Sequence, residues 1–291
     1  MKYSDNFIRA DGVQQGLFKA QPQDAVRHVV RLDGEACPGA EFLVEVMWLM
    51  APCEAAGMKK CASGTMWVFT GSDVNDHENL NAEIELWIEN DKLTLTETCA
   101  VFIPEGVAFG NFKVISAAKP VMSYYCHTGD ATCEPAEVTA DIGTYANNVV
   151  YKYAPPSGEI PEGPPGFLQL ILYLDSEKLA GAPYMETTWF KKDNDSGPAP
   201  HQHGFPEFIA FIGMDPENPA ELNGEMEFYM GEDNGFDSTT KSTLIYVPGD
   251  LLHSPIIVPR LSQPAIHFSG NTGNAYIRDN KDEGGNLYKV K

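Results

Sequence analysis

The chain states one pattern twice. Leu80-Asn81-Ala82-Glu83-Ile84-Glu85-Leu86-Trp87-Ile88 returns as Leu222-Asn223-Gly224-Glu225-Met226-Glu227-Phe228-Tyr229-Met230. Around this pair, Leu32-Asp33 matches Leu174-Asp175, Trp48 matches Trp189, and Phe69-Thr70-Gly71 matches Phe211-Ile212-Gly213. Further on, Cys99-Ala100-Val101-Phe102-Ile103-Pro104 matches Thr243-Leu244-Ile245-Tyr246-Val247-Pro248, and Pro120-Val121-Met122 matches Pro264-Ala265-Ile266. The matches keep their order, with offsets drifting only from 141 to 144 residues. One such match is chance; six in register indicate a duplicated domain, with a period too long for a solenoid.

The repeat unit reads as strands. Polar and apolar residues alternate through Glu83-Ile84-Glu85-Leu86-Trp87-Ile88, the period of a half-buried strand. Val101-Phe102-Ile103 and Ile245-Tyr246-Val247 are β-rich runs stopped by proline. Frequent turn residues, including 26 Gly and 21 Pro, separate many short strands. That pattern predicts an all-β sandwich or barrel. Helix is expected only at Gln23 to Val30 and in a short C-terminal stretch. The Pro/Gly-rich run 154–166 reads as a linker. It divides the chain into an N-terminal domain, 1–153, and a C-terminal domain, 167–291, each long enough for its own core.

Composition removes whole classes of function. Hydrophobic residues make up 43%, so this is no disordered acidic chain. A net charge of -21 argues against nucleic acid as a partner, because phosphate neutralisation needs a basic face. It also disfavours anionic membranes. No signal-like or membrane-spanning stretch is legible, so a cytoplasmic location is expected. The six cysteines form no C-x-x-C pair, and free buried thiols are the expectation in a reducing compartment.

The chemistry concentrates in the second repeat. In His201-Gln202-His203-Gly204-Phe205-Pro206-Glu207, residues i and i+2 of a strand present both imidazoles on one face. A short turn then brings Glu207 into the same space. Far downstream, Pro248-Gly249-Asp250-Leu251-Leu252-His253 is a strand end, a turn and a third histidine. Three neutral imidazoles and a carboxylate suit a first-row divalent metal.

These spacings resemble the cupin superfamily. Its first motif, H-x-H followed by E and then G, is matched by His201, His203, Glu207 and Gly213. Its second, P-x-G-x-x-H, is matched by Pro248 and His253, except that Gly249 lies one place early and Asp250 stands where glycine is usual. The first repeat keeps that glycine, as Pro104-Glu105-Gly106. The resemblance covers both halves and implies a bicupin: two tandem jelly-roll (double-stranded β-helix) barrels with few short helices. At the repeat offsets, His201, His203, Glu207 and His253 fall on Lys59, Cys61, Thr65 and Phe109. The expectation is therefore one mononuclear metal, Fe, Mn, Ni, Co, Cu or Zn, held by His201, His203, Glu207 and His253 in the C-terminal barrel alone.

The remaining candidates have blander readings. His267 is expected to be a structural histidine, His77 and His127 to be solvated, and His28 carries no signal. Glu225 and Glu227 recur as Glu83 and Glu85 in the half without ligands, so they read as a solvent-facing row. Ile209 and Phe211 share the parity of Glu207 and should line the barrel. The acidic stretches 214–221 and 231–234 lack the ligand order of a calcium loop and read as solvated loops. Two functions stay open. One is a metalloenzyme (an oxygenase, decarboxylase or isomerase) acting on a small organic acid or oxygenated carbon compound. The other is a non-catalytic, metal-dependent sensor or small-molecule binder. A site charge of +1 favours an anionic ligand, no residue stands out as an acid or base, and the resemblance allows a homodimer.

Overall fold

The computed structural model describes residues 2–11, 16–129, 133–138, 144–155, 164–232, 235–273, 275–281 and 287–290. Most of the expected linker, residues 156–163, lies outside them, as do Asp233 and Asn234 of one acidic stretch. The described chain is almost entirely antiparallel β-structure arranged as two barrels of two sheets each. In the first barrel, one sheet runs in the order Val149–Val150, Cys99–Ile103, Thr65–Thr70, Val121–Thr128, Phe42–Leu49, Val26–Leu32. Its second sheet runs Cys133–Ala136, Cys53–Cys61, Phe109–Ala117, Asn79–Ile88, Asp91–Glu97. In the second barrel the corresponding orders are Phe7–Arg9, Thr243–Val247, Glu207–Gly213, Ala265–Asn271, Met185–Phe190, Leu168–Leu174, and Gly235–Lys241, Glu221–Met230, His253–Leu261, His201–Gln202, Arg278–Lys281, Leu287–Val290.

Burial explains which strands go where. Asn79–Ile88 and Glu221–Met230 show the same alternation, each with one buried face and one half-exposed face. They belong to outer sheets. Cys99–Ile103 and Thr243–Val247 are buried at every position, as in a sheet covered on both sides. One face of each such sheet fills its own barrel, with Trp67, Phe69 and Phe112 in the first and Phe211, Met226 and Phe228 in the second. The opposite faces meet between the barrels. There Tyr124 stacks on Phe268 with ring centroids 3.8 Å apart, Phe42 meets Phe208 edge-on at 5.0 Å, and the Tyr124 hydroxyl lies 2.7 Å from Thr187 Oγ1. Each aromatic buried here contributes about 1.5–3 kcal/mol by area alone.

Three expectations need correction. Gln23–Ala25 is a single 3-10 turn, and Val26–Leu32 is a strand, because Val26, Val29 and Val30 favour the extended backbone over helix. The C-terminal residues form strands Arg278–Lys281 and Leu287–Val290 rather than a helix. Cys37, Cys53, Cys99 and Cys126 are free and buried, but Cys61 and Cys133 form a disulfide. They stand directly opposite each other in an antiparallel pair, a non-local proximity invisible to local spacing.

Phe7–Arg9 leaves the half in which it begins. It adds to the edge of the second barrel, with Phe7 opposite Ile245 and Arg9 bonded to Asp237 at 2.6 Å. Among the described residues no helix is long and apolar enough to cross a membrane.

Candidate metal centre

Four strand ends converge at one mouth of the second barrel. His201 opens the strand His201–Gln202, and His253, directly opposite it, opens His253–Leu261. His203 follows immediately, and Glu207 is the first residue of Glu207–Gly213. The turn before His253 depends on Asp250, whose φ is +61°. Asp tolerates this left-handed conformation better than most residues, so it does here what glycine does at Gly106 (φ +72°) in the first barrel. Its N–H donates to the His203 carbonyl at 2.6 Å, tying the turn to the first pair of histidines. Gly249 lets the turn lie against the Phe205 backbone, since a Cβ there would sit 3.3 Å from it. Phe205 in turn stacks flat on the His203 ring.

The second ring nitrogens set the tautomers. Nδ1 of His201 donates to the Ala199 carbonyl at 2.8 Å, Nδ1 of His203 to Ile277 at 2.7 Å, and Nδ1 of His253 to Leu251 at 2.9 Å. A carbonyl only accepts, so all three Nδ1 atoms carry protons, and in the neutral rings each Nε2 keeps its lone pair. The three histidines lie within 4.8 Å of one another by their ligating atoms. Glu207 Oε2 is 3.4 Å from His203 Nε2 and 3.3 Å from His253 Nε2.

The electrostatics favour an ionised Glu207 beside a neutral His201. Burial alone would raise the Glu207 carboxyl, but His203 and His253 overcome it and hold the group well below the usual carboxylate range. Burial, reinforced by His253, pushes His201 down to about 3. The buried Nε2 of His253 has no aligned hydrogen-bond partner, a costly arrangement that a cation would relieve. Donor type, tautomer and charge thus all fit a divalent first-row metal.

Two residues not singled out from the sequence face this mouth. The Tyr276 hydroxyl donates to His201 Nε2 at 3.2 Å, and its ring centroid is 5.2 Å from that of His203. Its stretch, rich in Gly and Asn, carried no chemical signal. Glu186 lies one rung deeper: it pairs with Ser269, which also pairs with Ile209, whereas Glu207 pairs with Asn271. Burial raises its carboxyl and Glu207 adds to the rise, against hydrogen bonds from Tyr153, at 2.8 Å, and Tyr184. A lone acid inside Met185-Glu186-Thr187-Thr188-Trp189-Phe190 was the available clue.

The other candidates sort by environment. Ile209 and Phe211 face the barrel interior, while Phe208, Ala210 and Ile212 face the first barrel. His267 sits between Phe190 and Phe211, and its Nδ1 is satisfied by the Ala210 carbonyl at 3.0 Å. Glu225 and Glu227 are half-buried on the outer sheet, with Arg260 3.7 Å from Glu225 and the Tyr229 hydroxyl donating to Glu227. His77 is partly buried, its ring near Trp189. His28 lies 3.0 Å from Glu45. His127 is corrected outright. It belongs to the strand Val121–Thr128 and is 4% exposed, because the strand continues past its apolar run before the chain turns.

Solved structures with the same architecture were found. An oxalate decarboxylase, studied for its substrate binding mode and reaction specificity switch, gives a TM-score of 0.59 at 9% identity, covering 93% of this chain and 77% of that one. Vicilin from hazelnut, Corylus avellana, gives 0.58 at 7% identity, covering 92% and 86%. A deletion mutant of Bacillus subtilis oxalate decarboxylase gives 0.56 at 10% identity, covering 93% and 77%. No family model and no curated protein sequence matches the chain. At such identities the likeness is one of fold.

Proposed function

This chain has the two-barrel fold of the cupin superfamily, and on that fold we propose a metal-dependent enzyme for a small, anionic, oxygen-bearing carbon compound. His201, His203 and His253, through Nε2, and Glu207 would hold one divalent metal in the C-terminal barrel. The reading is carried by one observation: three imidazoles, each with Nδ1 already committed to a carbonyl, gather their ligating atoms within 4.8 Å, and two of them turn Nε2 toward one buried carboxylate. When bound, the metal supplies a Lewis acid for a ligand oxygen. A dication with one carboxylate leaves a site charge of +1, which favours an anion.

The chain's own residues supply the rest. Tyr276 holds a proton at the mouth, on the hydroxyl that reaches His201 Nε2, and can present it to a ligand oxygen. Glu186, raised by burial, is placed to keep a second proton near the carboxylate Glu207. Ile209 and Phe211 line the interior below and exclude water. The two-barrel neighbours include an oxalate decarboxylase, which puts small carboxylates, oxalate among them, first in a substrate panel. A non-catalytic binder shares every feature except turnover, so turnover separates the two.

The test is elemental analysis of chain purified without chelators, followed by that panel. About one equivalent of metal, lost in His203→Ala, supports the site. Less than about half an equivalent, or unchanged occupancy in that variant, removes it.

A further inference from the structure

The first barrel has its own cluster at the matching mouth. Lys59, Cys61 and Thr65 stand there where the second barrel has His201, His203 and Glu207. The Cys61 and Cys133 sulfurs and a ring nitrogen of His127 all lie within 4.8 Å of one another. The strands correspond as well: Cys133–Ala136 lies along Cys53–Cys61 as Arg278–Lys281 lies along His201–Gln202. We propose that reduction of the Cys61–Cys133 disulfide opens a second metal site, in which both thiolates and the His127 imidazole hold a thiophilic divalent cation of the zinc type.

Unmet polar atoms mark the place. Nδ1 of His127 is buried and has no hydrogen-bond partner. Directly across the strand pair is Thr65, 1% exposed, whose hydroxyl also lacks one. Buried polar atoms without partners cost free energy and are rare unless something completes them. Two thiolates and an imidazole select soft or borderline cations, and three protein ligands leave a fourth tetrahedral position, beside the Thr65 hydroxyl.

Charge balance permits burial. A dication with two thiolates is neutral. Lys59 lies on the strand face of Cys61, its ammonium 5.2 Å and 5.0 Å from the Phe109 and Tyr125 ring centroids. The buried Glu45 carboxylate offsets that ammonium. The chemistry closes with a thiol reductant. Two thiols, or one dithiol, give two electrons to the S–S bond and leave as a disulfide, and metal binding then releases the two cysteine protons.

The experiment uses the full chain, oxidised or reduced and freed of reductant, with Zn2+ and Co2+ as probes. Reduction should add one equivalent of bound zinc, whatever the second barrel holds. That difference separates this proposal from the fate of the His201 centre. Reduced His203→Ala protein, with the other centre disabled, should show a thiolate-to-cobalt charge-transfer band that the oxidised protein lacks. Cys133→Ser should abolish the band, and His127→Gln should weaken cobalt binding at least about tenfold. The proposal is overturned if reduction adds no zinc, or if the band survives Cys133→Ser, which would place the cobalt on another cysteine.

Discussion

Glu207→Gln separates what the site costs from what it binds. The side chain is 3% exposed and sits between two imidazole nitrogens. Glutamine keeps its shape and removes its charge. Without metal the variant should already lose some stability at pH 8, since His203 and His253 hold the folded carboxyl below its ordinary range and so favour its ionised form. With metal it should lose a great deal. Removing partners of ligands alone costs 10- to 100-fold in affinity, so removing an anionic donor should cost at least about 100-fold, about 3 kcal/mol. At saturating metal for the wild type, binding free energy adds directly to the stability of the folded state. For 291 residues the unfolding entropy converts that loss into about 4–5 °C. Differential scanning calorimetry with and without metal reads both losses, the larger one with metal. A variant that keeps the full metal-induced shift would refute Glu207 as a donor.

Tyr276→Phe removes a hydroxyl that occupies the lone pair of His201 Nε2, so metal affinity by calorimetric titration should hold or rise. A loss beyond about tenfold would make the tyrosine a ligand. Burial pushes His267 down to about 4 from an ordinary value near 6.5, so the unfolded chain binds the extra proton first. Stability from this group is intact above pH 6.5 and should fall by up to about 3 kcal/mol as pH drops toward 4. His267→Phe should flatten that part of the urea-measured pH profile while giving up about 1 kcal/mol at neutral pH for the lost bond to Ala210. An unchanged profile would sink the assignment. Phe268→Ala, at the stack between the barrels, should cost about 3–5 kcal/mol and shift one common unfolding transition. Two separated transitions would show that the barrels melt independently.

What could be read from sequence was whatever local pattern encodes. Alternation in Glu83 to Ile88 and Glu225 to Met230 marked outer strands, and H-x-H spacing marked two imidazoles on one side. Even the misplaced glycine at Asp250 made sense once its backbone angle was known. Long-range pairing was not legible. His127 looked solvated because its neighbours are polar, but its strand lies in a sheet packed on one face against its own barrel and on the other against the second barrel. Cys61 and Cys133 are 72 residues apart and meet only because two strands pair. Tyr276 reaches His201 across 75 residues from a stretch without pattern. Val26–Leu32 went wrong by propensity: a short mixed segment was read as helix where β-branched residues and an edge position decide.

The edge strand Phe7–Arg9 ties the molecule to its own synthesis. Its partner Ile245 follows Phe7 by 238 residues. At about 5–20 residues per second, the nascent strand waits roughly 10–50 seconds for that partner to emerge. The second barrel's edge at Thr243–Val247 is closed only when this earlier-made strand pairs with it. An affinity tag or fusion that holds back the first ten residues would leave that edge free to pair with another chain.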